Sequence, residues 1–100
     1  MPPTGDSCAD RLRVLADATR LSVVRALMDE PLRVGELNER IPIEQSLLSH
    51  HLRVLRDAGL VAAERDGKAV LYRLAPGIRA GRTRKSIELG CCRLTFEKNE

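Results

Sequence analysis

The clearest hydrophobic pattern in the chain lies between Gln45 and Leu55, which reads QSLLSHHLRVL. At about 100° per residue on a helix, apolar side chains gather on one face and polar side chains on the other. The apolar arc, which we expect to be buried, holds Leu47, Leu48, His51, Leu52, Val54, Leu55 and Ala58. The polar arc holds Gln45, Ser46, Ser49, His50, Arg53, Arg56 and Asp57. Such a polar face suits the base edges and phosphates of the DNA major groove.

Shorter stretches with the same apolar period predict three helices before this one. They are marked by Cys8, Leu12 and Leu15, by Leu21, Val24, Leu27 and Met28, and by Val34, Leu37 and Ile41. Asp17 to Thr19 separates the first two helices. Pro31 and Pro42 end the second and third, because the residue before a proline is biased away from helical geometry.

After the fourth helix the pattern changes to two runs rich in Val, Leu and Tyr, at 60–65 and 68–74. They are separated by Asp66-Gly67, a strong hairpin signal. Gly59 can take the left-handed conformation that stops a helix. The order of elements predicts a winged helix-turn-helix, a mainly α fold with a small β-hairpin, over residues 8–75.

The two ends of the chain lie outside this pattern. Residues 1–7 predict a flexible N-terminal tail. Residues 76–100 predict a C-terminal segment with the basic run Arg79 to Lys85, which we interpret as a disordered linker more readily than as a second phosphate contact. A possible strand within Ile87 to Phe96 carries Cys91 and Cys92.

Charge is unevenly distributed although the net charge is only +3. Residues 1–44 hold six Lys/Arg against eight Asp/Glu, whereas residues 45–85 hold nine against three. A basic excess that coincides with the amphipathic helix is the expected footprint of a protein that binds double-stranded DNA phosphates. Arg53, Arg65 and Lys68 are the candidate phosphate contacts, with simple solvation as the alternative. The aromatic content of 2% excludes base-stacking platforms.

Several other classes are disfavoured by what the sequence lacks. No apolar run reaches the length of a membrane span and no signal peptide begins the chain, which favours a cytoplasmic protein with no membrane partner. There is no glycine-rich phosphate loop, no redox Cys-x-x-Cys pair and no nucleophile with an identifiable base, so we expect no enzyme. Three cysteines, two of them adjacent, predict no structural disulfide framework.

The strings quoted so far resemble the ArsR family of winged helix-turn-helix metalloregulatory repressors. The resemblance runs through LADATRL at 15–21, VGEL at 34–37, QSLLSHHLRVLRDAGLV at 45–61 and ERDGKAVLYRL at 64–74. It implies a homodimeric repressor that leaves a partly palindromic operator when an inducer binds. It also implies DNA contacts from the start of the helix, here Gln45, Ser46, Ser49 and His50, and from the wing around Arg65 and Lys68.

The sensor sites common in that family are absent from this sequence. The start of the third helix, 32–36, contains no cysteine, and residues 75–100 contain no histidine or aspartate. The dimerising C-terminal helix of the family is opposed here by Pro76, Gly77 and Gly81. Because both common sensor sites are absent, we look for the residues that bind an inducer elsewhere in this chain.

Cys91 and Cys92 are the remaining candidate ligands, with Cys8 as a third. Soft thiolates suit As(III), Cd(II) or a similar thiophilic ion, and trivalent arsenic favours three of them. Adjacent cysteines on a strand point to opposite faces, which argues against a single site that contains both Cys91 and Cys92. Packing of small buried cysteines and thiol oxidation as the signal are open alternatives. Other open alternatives are a partner protein as the signal, and a protein-interaction module that does not bind DNA.

Overall fold

The computed structural model describes residues 8–97. The predicted N-terminal tail, residues 1–7, lies outside that range. The helices are α1 Cys8–Leu15, α2 Ala18–Asp29, α3 Val34–Arg40 and α4 Gln45–Asp57. The strands are β1 Leu32–Arg33, β2 Val61–Asp66, β3 Ala69–Leu74, β4 Arg79–Ala80, β5 Ser86–Glu88 and β6 Arg93–Thr95. The four predicted helices are confirmed in order and approximate length. Across residues 8–97, no helix has both the length and the apolar character needed to cross a bilayer.

Local hydrogen bonds fix where the helices begin and end. The Asp17 carboxylate caps α2 by accepting from the backbone N–H of Arg20 at 3.0 Å. That hydrogen bond is the main reason why the pKa of Asp17 is lowered from its usual 3.8. At the end of α4, Gly59 has φ of +78° and Leu60 N–H donates to the Leu55 carbonyl at 3.0 Å. The predicted glycine stop is therefore confirmed.

The wing is an antiparallel sheet in the order β1-β3-β2. Asp66 pairs with Ala69, which leaves Gly67 and Lys68 as the two turn residues. The predicted turn pair, Asp66-Gly67, was therefore wrong by one position. Asp66 stays in the ladder, and its carboxylate accepts a hydrogen bond from the Arg33 guanidinium at the start of α3. The wing tip is thereby tied to the helix-turn-helix.

One core joins the helices to both sheets. Its fully buried large side chains are Val23, Val24, Leu37, Leu48, Leu52, Leu55, Leu60, Ile87 and Leu89. Four members of the predicted apolar arc face this core, namely Leu48, Leu52, Leu55 and Ala58. Leu47, on the same arc, is 45% exposed, and His51 and Val54 are half-buried. The expectation that the whole arc is buried was wrong, because the core covers only the central stripe of α4 and not its flank.

The C-terminal segment is a second antiparallel sheet, in the order β4-β5-β6. Ile87 and Leu89 enter the common core, and the Arg25 guanidinium lies over the Phe96 ring at 4.3 Å from its centroid. Arg84 also pairs with Asp29 of α2 at 3.4 Å. The interpretation of 79–85 as a disordered linker was therefore wrong, because Ile87 on β5 and Leu89 just after it hold this sheet against the helices. Within residues 8–97 no helix follows α4.

Candidate nucleic-acid interface and thiol cluster

The polar face of α4 is exposed along its first two turns. Gln45, Ser46, Ser49 and His50 are all exposed. The last three line one open hollow together with Arg53, which follows one turn later. The first turn of α4 contains no acidic residue, and the side chain of the preceding Glu44 makes no capping hydrogen bond. Four short donors and acceptors and one guanidinium thus share a surface that a partner can reach.

The wing presents two cations beside this helix. Arg65 and Lys68 are exposed, and neither takes part in an ion pair within residues 8–97. Other basic residues of the region are paired: Arg73 contacts Glu64 at 2.7 Å, and Arg33 contacts Asp66. A guanidinium paired with a carboxylate has fewer free donors and a partly neutralised charge, so Arg65 and Lys68 are the better placed of these four to bind an anion.

A groove connects the wing to the polar face of α4. It has a volume of about 550 Å³ and runs between the start of α3 and strand β3. Ser49 of α4 and Lys68 of the turn both line it, so the fold brings together two residues that the sequence proposed separately. Glu36 and Glu39 also line the groove, and these carboxylates disfavour a phosphate deep inside it.

One residue that holds this surface in place was missed by the sequence analysis. The side-chain amide of Asn38 donates to the carbonyl oxygens of Ile41 at 3.1 Å and Ile43 at 2.9 Å. Both acceptors belong to the turn between α3 and α4. An amide side chain shortly before the helix-ending Pro42 was the available signal, because Asn readily bonds to nearby backbone.

His51 lies on the flank of α4, away from the polar arc. It is half-buried, and its Nδ1 is buried with no hydrogen-bond partner within the described part of the chain. An electrostatic interaction with His51 also lowers the pKa of Asp17, after the larger effect of the Arg20 backbone N–H. His51 is therefore not part of the exposed polar face of α4.

The three cysteines, which lie near opposite ends of the sequence, come together in the fold. Cys8 of α1 and Cys91 are joined by a disulfide, with a Cα–Cα distance of 5.8 Å. Cys92 is a free, half-buried thiol whose Sγ lies 3.3 Å from that of Cys8 and 4.0 Å from that of Cys91. All three sulfur atoms lie within 4.8 Å of one another.

Two expectations about the cysteines were wrong. Cys91 and Cys92 lie in the turn between β5 and β6 and not on a strand, so the strand rule that separates neighbouring side chains does not apply. The expectation of no structural disulfide was also wrong, because Cys8 is bonded to Cys91 across 83 residues. Only the packing of the C-terminal sheet against α1 creates this contact, and no spacing in the sequence could show it.

Arg11 adds positive charge beside the cluster. It follows Cys8 by three residues, and its guanidinium donates to the carbonyl oxygen of Leu89, the residue after β5. This hydrogen bond holds the cysteine-bearing turn against α1 independently of the sulfur atoms. Because thiolates are negative, a nearby guanidinium favours a site in which several of them converge.

Comparison with known proteins identifies the family of this chain. The sequence model described as "Bacterial regulatory protein, arsR family" matches residues 17–63. The regulator NmtR of Mycobacterium tuberculosis is 46% identical over 66 residues, 66% of this chain and 55% of that protein. The repressor SmtB of the same species is 41% identical over 70 residues, 70% of this chain and 52% of that protein. The chain belongs to the arsR family of bacterial regulatory proteins.

A solved structure shows the same winged fold. The homodimeric winged helix-turn-helix DNA-binding domain of Mb0332 from Mycobacterium bovis, a possible ArsR-family regulator, matches with a TM-score of 0.64 and 28% identity. The match covers 67% of this chain and 62% of that one. The chain spans about half the length of the two sequence relatives. These relatives are named as transcriptional regulators and not as enzymes.

Proposed function

We propose that this protein is a transcriptional repressor that acts in the cytoplasm as a homodimer on double-stranded operator DNA and dissociates when an inducer binds. One observation carries the proposal: Ser46, Ser49, His50 and Arg53 converge on a single open hollow of α4. Family membership supports it, because the relatives NmtR and SmtB are regulators of transcription.

The side chains at the start of α4 contact the base edges. Gln45 can bond in bidentate fashion to adenine, while serine hydroxyls accept or donate at either base pair. His50, the fourth residue of this set, is exposed beside Ser49. Because these side chains are short, the helix must enter the major groove closely, and the absence of acidic residues from its first turn permits that approach.

Phosphate anchoring falls to Arg53, Arg65 and Lys68. Contacts of this kind fix register and orientation without reading sequence. Ser49 and Lys68 line the same groove, so a duplex that meets α4 also passes the wing. Arg65, exposed on β2, is the second cation of the wing.

The homodimer follows from the geometry of operator recognition. One chain offers a single reading helix, whereas two half-sites one helical turn apart require two helices related by symmetry. The exposed apolar side chains of Leu12 and Leu47 are consistent with a further contact surface. The Mycobacterium bovis domain with the same fold is homodimeric.

For the inducer we propose a thiophilic ion such as As(III) or Cd(II), held by Cys8, Cys91 and Cys92 as thiolates. The donor set fits in kind and in spacing, because thiolates at about 2.3 Å from a tetrahedral zinc ion lie about 3.8 Å apart. Cys92 Sγ is 3.3 Å and 4.0 Å from the other two sulfur atoms. Cys8 and Cys91, which are bonded to each other in this structure, must be reduced before they can act as ligands. Such an ion would link α1 to the β5–β6 turn and favour a dimer geometry that no longer fits successive major grooves.

The test is a mobility-shift assay on a duplex that the reduced protein itself selects from a random-sequence library. We expect arsenite or cadmium to weaken binding, and Cys91→Ser with Cys92→Ser to abolish that response. Ser49→Ala with Arg53→Ala should remove sequence preference, whereas Arg13→Ala on α1 serves as the control that keeps it. Failure to select any sequence, together with binding that does not change with salt, would instead indicate a protein-interaction module.

A further inference from the structure

The thiol cluster exists in a form that cannot hold an ion with three ligands. The bond between Cys8 and Cys91 occupies both sulfur atoms, so Cys92 is the one cysteine of residues 8–97 that retains a thiol. The same sulfur atoms lie within 4.8 Å of one another. A disulfide and an ion site therefore use the same atoms and exclude each other.

We infer that the Cys8–Cys91 disulfide is a redox lock on the ion site. Oxidation removes the site, reduction restores it, and a bound ion protects the thiols from oxidation. This inference rests on the proposed function only in taking the three thiolates as the inducer site. It adds a second input, the thiol redox state, to the same cluster.

The backbone is already placed for both forms. The Cα atoms of Cys8 and Cys91 are 5.8 Å apart, which is the usual separation for a disulfide. The Arg11 hydrogen bond to the Leu89 carbonyl holds α1 and the β5–β6 turn together without help from sulfur. When the disulfide is reduced, this contact keeps the three thiols close, so the ion site does not have to be assembled from a separated turn.

The oxidant that we invoke is a hydroperoxide. Cys91 is exposed and Cys8 is half-buried, so the thiolate of Cys91 is the one a peroxide reaches first. It attacks a peroxide oxygen and breaks the O–O bond, which gives a sulfenic acid and, with hydrogen peroxide, a hydroxide that takes a proton and leaves as one water. The Cys8 thiolate then attacks that sulfur, forms the disulfide and expels hydroxide, which takes a proton and leaves as a second water. A dithiol reverses the step by exchange.

Linkage makes the two inputs antagonistic in both directions. An ion that binds the trithiol form but not the disulfide form favours the trithiol form by its binding free energy. Conversely, oxidation removes two of the three ligands, and Cys92 alone cannot replace them. The repressor would then release the operator in response to the ion only while the thiols are reduced.

The first experiment measures binding of Cd²⁺ alone to the full chain by its thiolate-to-metal charge-transfer absorption. We expect the reduced chain to bind one ion. The peroxide-oxidised chain, after removal of peroxide, should bind at least about 100-fold more weakly, because losing two ligands costs more than the up to about 100-fold lost with a hydrogen-bond partner of one ligand. Peptide mapping by mass spectrometry should identify Cys8–Cys91 in the oxidised sample. Cys92→Ser should still form this disulfide and, when reduced, should bind Cd²⁺ more weakly.

The second experiment measures protection. With Cd²⁺ at ten times its dissociation constant, about a tenth of the chain is free, so peroxide should consume thiols about tenfold more slowly. Mg²⁺ is the control, since it prefers oxygen ligands and should not protect. Cys8→Ser should lose the disulfide to α1 while the fold, checked by circular dichroism, is retained.

The lock is overturned if the oxidised chain binds Cd²⁺ as tightly as the reduced chain, if bound Cd²⁺ gives no protection, or if the reduced chain binds no Cd²⁺. Neither experiment contains DNA. Failure of the repressor proposal appears separately, as loss of selective duplex binding or as a mobility shift that ignores an ion already bound to the reduced chain.

Discussion

The side-chain amide of Asn38 donates a 2.9 Å hydrogen bond to the carbonyl oxygen of Ile43, two residues before α4 begins. Asn38 also donates to Ile41, so a single side chain closes the turn that sets α3 and α4 relative to each other. The orientation of the polar face of α4 therefore depends on a residue that does not line the open hollow of that helix.

We expect Asn38→Ala to lower the free energy of unfolding by about 1–2 kcal/mol, because two turn carbonyls lose their donor. Operator affinity should fall as well, since the start of α4 is held less firmly. Urea denaturation measures the first effect and the mobility shift the second. Glu39→Ala, at the exposed neighbouring position of α3, is the matched control. Equal stability of the two variants would show that the turn does not need this amide.

Asp17 should give α2 a stability that depends on pH. Its pKa is lowered from 3.8 in the folded chain, mainly by the Arg20 backbone N–H. A depressed carboxyl pKa means that the contribution is complete above the ordinary value and is lost as pH falls through the lowered one. Asp17→Ala should therefore cost about 1 kcal/mol at pH 7, with a difference that shrinks at low pH.

The check for Asp17 is denaturant unfolding of wild type and variant at several pH values between 7 and 3. Asp57→Ala, at the exposed end of α4, is the control, because a carboxylate there faces the negative end of the helix dipole. A cost of Asp17→Ala that stays constant down to pH 3 would mean that the carboxylate charge is not what caps the helix.

The wing cations should appear in the salt dependence of DNA binding. Arg65→Ala with Lys68→Ala removes two proposed phosphate contacts, so the slope of log affinity against log salt should become shallower by about 2. Sequence preference should be unchanged, because phosphate contacts carry no sequence information. Fluorescence anisotropy at several salt concentrations measures the slope. A slope equal to that of Arg13→Ala, the control on α1, would remove the wing from the interface.

Gly67 should be the glycine on which the wing turn depends. Its φ of +66° is unfavourable for residues with a Cβ, so Gly67→Ala should destabilise the protein by about 1 kcal/mol although a Cβ there meets nothing within 4 Å. Gly67→Asn should be tolerated better. Gly35→Ala is the control: its site is also open but lies within α3, where alanine should stabilise. Thermal unfolding distinguishes the two directions.

Much of this protein was determined by local sequence pattern. The helical period of 45–57, the prolines at 31 and 42 and the Gly59 stop act within one or two turns of backbone, so they predicted the winged helix-turn-helix and the exposed polar face of α4. The same pattern did not predict that Leu47 stays exposed while Leu48 is buried. Neighbouring elements decide how wide a stripe of a helix they cover.

Tertiary structure alone decided the C-terminal sheet and the thiol cluster. Ile87 and Leu89 pack into a core supplied by residues far away in the sequence, and this packing brings the β5–β6 turn to α1. Cys8 and Cys91 meet across 83 residues for that reason. Contacts between distant segments depend on the free energy of the whole core and have no signature in residue spacing, whereas helix periods and turns depend on neighbouring residues and can be read from the chain directly.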